Sequence, residues 1–231
     1  MSAVRRRVVL ALVLVAVAWP ALLVAGRWPL WWAWIASEQT PMTWLQSVTL
    51  VLAGAAALLT GAVLAVAGVP ARGRWVWWAL GGGLGGLALD ERFALHERVR
   101  DGYLAPRGIS APLLSWVAPG DFVVMGVAVA GLLLLPFVWA AVAPDGAARR
   151  ALVVGVVLGV VAVALDSVDP ALWTPAQERL QQTCEEVLEL ASGLALLACT
   201  TLRLLGAIAG LGHDSALDGE GPPAPVAQAA R

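Results

Sequence analysis

Residues 151–166 read ALVVGVVLGVVAVALD, a run of fifteen uncharged, apolar residues followed by Asp166. Two other segments repeat this arrangement, because Asp90 lies 15 residues after Trp75 and Glu189 lies 14 residues before Arg203. At the rise of an α-helix, all three acids are predicted about 21–23 Å from one face of a hydrocarbon core roughly 30 Å thick. An ionisable side chain at that depth is costly and marks a candidate functional site.

The composition of the chain is that of a membrane protein. Its 231 residues are 60% hydrophobic and 13% charged, whereas about a quarter of the residues of a soluble domain are charged. Long apolar runs recur, so we predict an all-α, polytopic membrane helix bundle. The absence of lysine excludes a Schiff-base retinal or pyridoxal site. We expect membrane lipid as a partner and no nucleic acid, and the sequence carries no signal for an oligomeric state.

Six transmembrane helices are predicted within a domain that covers residues 1–205. Their approximate ranges are 8–25, 43–69, 75–97, 121–142, 151–166 and 183–205. We expect the first helix to be retained rather than cleaved as a signal peptide, because its apolar run is longer than the usual signal core and no A-x-A-type site precedes Arg27. Residues 206–231 are predicted to form a disordered cytoplasmic tail.

Arginine placement predicts the orientation of these helices. The arginines at the ends of the predicted helices fall mostly on one side: Arg5, Arg6, Arg7, Arg72, Arg74, Arg149, Arg150 and Arg203. Positively charged loops favour the cytoplasm, so both termini are expected there. We expect a multi-pass protein of the plasma membrane, the inner membrane of a bacterium, whose acidic end faces the extracytoplasmic side.

A glycine run, Gly81–Gly86, lies in the third predicted helix. Small residues at such positions let a neighbouring membrane helix approach closely. A phosphate-binding loop is rejected for this run, because no strand precedes it and it lies within an apolar segment.

The acids concentrate in two segments, residues 90–97 (DERFALHE) and residues 178–189 (ERLQQTCEEVLE). If the third and sixth helices are antiparallel neighbours, Asp90 lies opposite Glu189. So many carboxylates in a low-dielectric space need protons or cations. Glu97 is the candidate general base, and the candidate metal ligands are Asp90, His96, Asp166, Glu185, Glu186 and Glu189. Oxygen-rich ligands with at most one imidazole favour a divalent ion such as Mg²⁺, Mn²⁺, Ca²⁺ or Fe²⁺ over a structural Zn²⁺.

The same acids could instead have structural roles. Nearby arginines could neutralise several of them as ion pairs. Asp166 opens a turn sequence, Asp166–Pro170, and could simply form part of that turn. Asp121 follows Pro119 and Gly120 and is first interpreted as a helix N-cap.

A multi-pass bundle that carries Asp90 and His96 within the membrane resembles the CREST membrane hydrolases, which include alkaline ceramidases and adiponectin-receptor-like proteins. That resemblance implies a zinc ion held by three histidines and the cleavage of lipid amides. This chain has one predicted intramembrane histidine where that superfamily uses three. The pattern Asp-Glu-x4-His-Glu at residues 90–97 also resembles a helix end of uncharacterised bacterial multi-pass membrane proteins.

Three functions agree with a membrane helix bundle that carries these acids. The first is a metal-dependent hydrolase that acts on a lipid or lipid-linked substrate at the outer leaflet. The second is a proton- or cation-coupled transporter, since buried acids are common coupling devices. The third is a non-catalytic membrane sensor or assembly subunit, in which the acids hold the bundle together or bind a partner.

Overall fold

The structure, a computed structural model, describes residues 2–37, 39–109, 122–168 and 173–218. These residues form helices α1 (Ala3–Gly26), α2 (Pro41–Val66), α3 (Ala71–Phe93), α4 (Leu95–Val99), α5 (Phe122–Val142), α6 (Gly146–Asp166) and α7 (Pro175–Asp218). A π-helical turn (Arg100–Leu104) and a 3-10 turn (Ala105–Arg107) follow α4. The described ranges contain no strand, which confirms the all-α class. Asp121, part of the Asp166–Pro170 turn and the end of the predicted tail lie outside the described residues.

Five helical segments in the described part of the chain are long and apolar enough to cross a membrane. They are Ala3–Gly26, Pro41–Val66, Met125–Val142, Gly146–Asp166 and Pro175–Leu211. Helix α3 has 23 residues and is about 34 Å long, but its charged ends and its glycine run keep it outside this set. The chain is therefore a membrane-type helix bundle.

Helix α2 lies at the centre of the bundle, packed along α3 on one side and α7 on the other. Its buried face consists largely of small and polar residues at helical spacing: Thr43, Gln46, Ser47, Thr49, Ala53, Gly54, Ala57, Thr60 and Gly61. At the contact with α3, a Cβ added to Gly54 would lie 3.1 Å from the carbonyl oxygen of Gly81. The close approach predicted for the glycine run is therefore confirmed at Gly81, whereas a Cβ at any of the other glycines of the run would meet nothing within 4 Å.

Helices α6 and α7 form the second close pair. The hydroxyl of Ser192 donates to the carbonyl oxygen of Gly155 at 2.8 Å, and Leu196 packs against the same glycine. Helix α5 contacts α3 and α6, and Val138 and Val142 are its fully buried side chains among those described. The helices α3, α2, α7, α6 and α5 thus form a ring, and α1 packs outside it against α7 and α2.

Two ends of this ring can be distinguished by their charged residues. One end, which we call the arginine end, contains the N-terminal turn of α1 and the α5–α6 connection. There Arg5 pairs with the buried carboxylate of Asp145. Asp145 also caps α6, because its Oδ1 accepts the backbone N–H groups of Ala147 and Ala148 at 3.1 Å each. The other end, which we call the acidic end, holds the last turns of α3 and α6 and the first turns of α7, where the acids concentrate.

The third predicted helix is wrong in its extent. Helix α3 ends at Phe93, and Ala94 adopts a left-handed conformation with φ 47°. The carboxylate of Asp90 accepts the backbone N–H of His96 at 2.8 Å across this break. Asp90 and Glu97 therefore do not share the face of one continuous helix.

Two further features were not settled by the sequence. It left open whether the third and sixth predicted helices are neighbours, and α3 and α7 each pack along α2, which lies between them. Helix α7 also begins earlier and ends later than predicted, at Pro175 and Asp218 rather than near residues 183 and 205. At the N-terminal end the added residues are largely polar, and hydropathy alone does not detect them. At the C-terminal end, residues 206–218 were predicted to be disordered but belong to α7.

Candidate functional site

A cavity of about 1090 Å³ lies inside the ring of helices. Every predicted site residue lines it: Asp90, His96, Glu97, Asp166, Glu185, Glu186 and Glu189. The cavity extends along α6 from Asp166 to Leu152, a distance of about 21 Å. Its volume slightly exceeds the range of roughly 300–1,000 Å³ that is usual for small-molecule sites.

Three glutamates form the tightest acidic cluster among the described residues. Glu91 from α3 and Glu186 and Glu189 from α7 each offer a carboxylate oxygen, and these three atoms lie within 4.8 Å of one another. Glu186 is buried, whereas Glu91 and Glu189 are half-buried. Three carboxylates at this separation repel one another unless protons or a cation compensate their charge. An all-oxygen set of this kind suits a hard divalent cation.

Gln46 of α2 supports the two glutamates of α7. Its Nε2 donates to Oε2 of Glu186 at 2.9 Å and to Oε2 of Glu189 at 3.4 Å. It also donates to the backbone carbonyl of Glu186 at 3.0 Å. Gln46 is only 3% exposed, and its Oε1 is buried without a hydrogen-bond partner in the described part of the chain. A buried oxygen without a donor costs about 1–3 kcal/mol.

Asp90 and His96 form a second polar unit in the cavity wall. Oδ2 of Asp90 lies 2.7 Å from Nδ1 of His96. Because Nδ1 is used in this contact, the other ring nitrogen, Nε2, is the one that can serve a ligand or a proton. His96 lies in α4, beyond the end of α3. Its hydrogen bond to Asp90 raises the pKa of His96 above the usual 6.5, burial opposes this, and the nearby charges of Asp90, Asp166 and Glu97 add to the rise.

The other predicted site residues take separate positions around the same cavity. Glu97, the candidate general base, pairs with Arg100 at 3.2 Å. Glu185 accepts a hydrogen bond from Gln181 at 3.0 Å, and Gln181 also donates to the backbone of Leu165 at 2.8 Å. Asp166 ends α6, and its charge contributes to the electrostatic environment of His96.

The structure therefore brings together some of the predicted ligands but not all of them. Glu186 and Glu189 belong to the three-glutamate cluster, while Asp90 pairs with His96 instead. Sequence reasoning did not name Glu91 or Gln46 as site residues. A signal for Gln46 was present, since it lies on the small and polar face of an otherwise apolar helix, where polar side chains bind neighbouring helices.

These features define an all-helical membrane bundle that encloses an acidic, amphipathic cavity. The model of the domain of unknown function DUF8692 matches residues 7–204, and the chain belongs to this family. The matched range includes every residue of the glutamate cluster and the Asp90–His96 pair. No curated protein and no solved structure matches the chain.

Proposed function

We propose that this protein is a metal-dependent membrane hydrolase that acts on a lipid or lipid-linked substrate. The observation that carries the proposal is the convergence of Glu91, Glu186 and Glu189 in the wall of a cavity that is acidic at one end and apolar along its length. Membrane lipids have the same division into a polar head and an apolar body. The proposal places the protein in the plasma membrane with six spans, namely α3 in addition to the five long apolar helices. Both termini then lie on the cytoplasmic side.

Glu91, Glu186 and Glu189 would hold the divalent cation, with Gln46 beside them. A cation bound there supplies Lewis acidity and lowers the pKa of a bound water. The three-histidine zinc site of the CREST hydrolases does not fit, because the chain has only two histidines, His96 and His213. The oxygen ligands favour Mg²⁺, Mn²⁺, Ca²⁺ or Fe²⁺.

His96 is a better candidate than Glu97 for moving a proton in this cavity. The Asp90 carboxylate fixes the His96 ring through Nδ1, which leaves Nε2 to accept a proton from water or to return one to a leaving group. An acid that orients an imidazole in this way is the arrangement of hydrolytic triads. Glu97 is already paired with Arg100 at 3.2 Å.

The test is the metal content of the purified protein by mass spectrometry. Wild type is expected to hold a stoichiometric divalent ion, and Glu186→Gln and Glu189→Gln are each expected to lose it. Glu185→Gln is the matched control, because Glu185 lines the same cavity but lies outside the cluster. Folded wild type without metal, or equal loss of metal in the Glu185→Gln control, would contradict the proposed site.

Cation transport is a second candidate, favoured by the depth of the cavity. The cavity reaches Val138 and Leu152, which belong to a closed apolar cluster with Val142, Ala148 and Leu202 at the arginine end. Transport requires that this apolar floor open. Cation flux into liposomes that depends on Glu186 would establish transport, and metal-dependent lipid cleavage without flux would establish the hydrolase.

A further inference from the structure

The cavity changes its chemistry along its length. All described lining residues of α5 are apolar or glycine, as are all those of α6 below Asp166. On α7, the lining residues below Glu189 are Ser192, Gly193 and Leu196, and the Ser192 hydroxyl is already bound to the backbone of Gly155. The apolar part runs from Val163 to Leu152 along α6, about 16 Å. It offers a ligand no polar group beyond that hydroxyl among the described lining residues.

The acidic end has the opposite character. Nine carboxylates of the described residues line the cavity there: Asp90, Glu91, Glu97, Asp101, Asp166, Glu178, Glu185, Glu186 and Glu189. In the described part of the chain, the basic residues that line the cavity are Arg100 and His96. One divalent ion in the three-glutamate cluster would therefore leave a negative balance. A phosphate or carboxylate head would be repelled by this end, whereas a cation would be attracted to it.

We propose that the cavity binds a lipid with a positively charged, ammonium-type head. Its apolar chain extends along α5 and α6, and its head lies among the acids outside the three-glutamate cluster. This inference rests on the proposed function and names the substrate class of the same site. Apolar cavities favour apolar occupants over water, and lipid chains surround a protein of this hydropathy. Charge complementarity selects the head.

Two glycines in the apolar part allow a direct test of the chain position. Gly131 of α5 and Gly83 of α3 both line the cavity, and a Cβ built at either one meets nothing within 4 Å. A large side chain at these positions can therefore enter the space assigned to the lipid chain without a steric clash at its Cβ. Gly126 and Gly82 lie on the same two helices and are equally open, but neither lines the cavity.

The experiment compares Gly131→Phe with the matched control Gly126→Phe. Binding of a long-chain primary amine to the purified full-length protein is measured by native mass spectrometry, beside a carboxylate of the same chain length. Wild type is expected to bind the amine at least about tenfold more tightly than the carboxylate. Gly131→Phe is expected to weaken amine binding about tenfold or more, with Gly126→Phe within about twofold of wild type. Gly83→Leu and its control Gly82→Leu repeat the test from the α3 wall.

Metal content, measured on the same samples, separates this inference from the proposed function. If Gly131→Phe and Gly83→Leu both bind the amine as wild type does, the chain position is wrong, whatever the metal content. If the carboxylate binds as tightly as the amine, the charge assigned to the head is wrong. Selective amine binding by a metal-free wild type would overturn the metal-dependent hydrolase and support the lipid site alone.

Discussion

The two ends of the bundle treat buried acids in different ways. At the arginine end, Asp145 accepts hydrogen bonds from Arg5 and from two backbone N–H groups of α6. At the acidic end, Glu186 and Glu189 share the amide of Gln46 and lie beside Glu91. An acid neutralised by an arginine and a helix N-terminus stabilises the fold. Acids that converge on one another instead require a cation or protons, which is the property of a binding site.

Removing the acid at the arginine end should give the largest effect on stability. Asp145→Ala removes an N-cap and one partner of an ion pair in which Asp145 is 9% and Arg5 24% exposed. We expect a loss of about 3 kcal/mol, the lower end of the cost for breaking a buried pair, because Arg5 keeps some contact with water. Thermal unfolding in detergent measures it. An Asp145→Ala protein as stable as wild type, or one that loses bound metal while folded, would contradict the purely structural role of Asp145.

Replacing Gln46 should act on metal affinity rather than on the fold. Gln46→Leu keeps a similar volume but removes the donor shared by Glu186 and Glu189. Loss of a residue that supports metal ligands typically costs about 10–100-fold in affinity, and we expect a loss in that range by competition titration. Thr49→Val is the control, because Thr49 is equally buried on the same helix and does not line the cavity. Unchanged metal affinity in Gln46→Leu would exclude Gln46 from the site.

Reducing the charge of the glutamate cluster should stabilise the metal-free protein. Glu186→Gln removes one of three converging carboxylates, and the relief of repulsion is expected to add about 1 kcal/mol, or a rise of about 2–4 °C in Tm. The comparison is made in chelator, and Glu178→Gln serves as the control, because Glu178 is a half-buried acid of α7 that lies outside the three-glutamate cluster. In excess metal the order should reverse, since wild type alone then gains binding energy. A Glu186→Gln variant less stable than wild type in chelator would indicate a structural role for Glu186, like that of Asp145.

The sequence predicted the class of fold and placed the acids at one end of the bundle. The length of an apolar run and the position of an acid within it are properties of each segment alone. Two of its candidate ligands, Glu186 and Glu189, lie with Glu91 in one cluster. It failed where two segments had to be combined. The break at Ala94 turns Asp90 toward His96, and helix α2, packed between α3 and α7, brings Gln46 to Glu186 and Glu189. Helix neighbours in a membrane are chosen by small-residue packing, and a single sequence gives the packing faces without their partners.

The smallest predicted effect concerns the Asp90–His96 pair, which combines features of both ends. The hydrogen bond to Asp90 raises the pKa of His96 above 6.5 in the folded protein. The pair therefore contributes its full stability below pH 6.5 and loses it as pH rises through the raised pKa. His96 should titrate above 6.5 by NMR of the labelled imidazole, with His213→Ala removing the second histidine signal. In Asp90→Asn the pKa of His96 should fall. In the control Asp101→Asn, an exposed change nearby, the pKa of His96 should stay as in wild type. Titration of His96 at or below 6.5 in wild type would mean that Asp90 does not hold the ring, and the assignment of Nε2 as the proton carrier would fail with it.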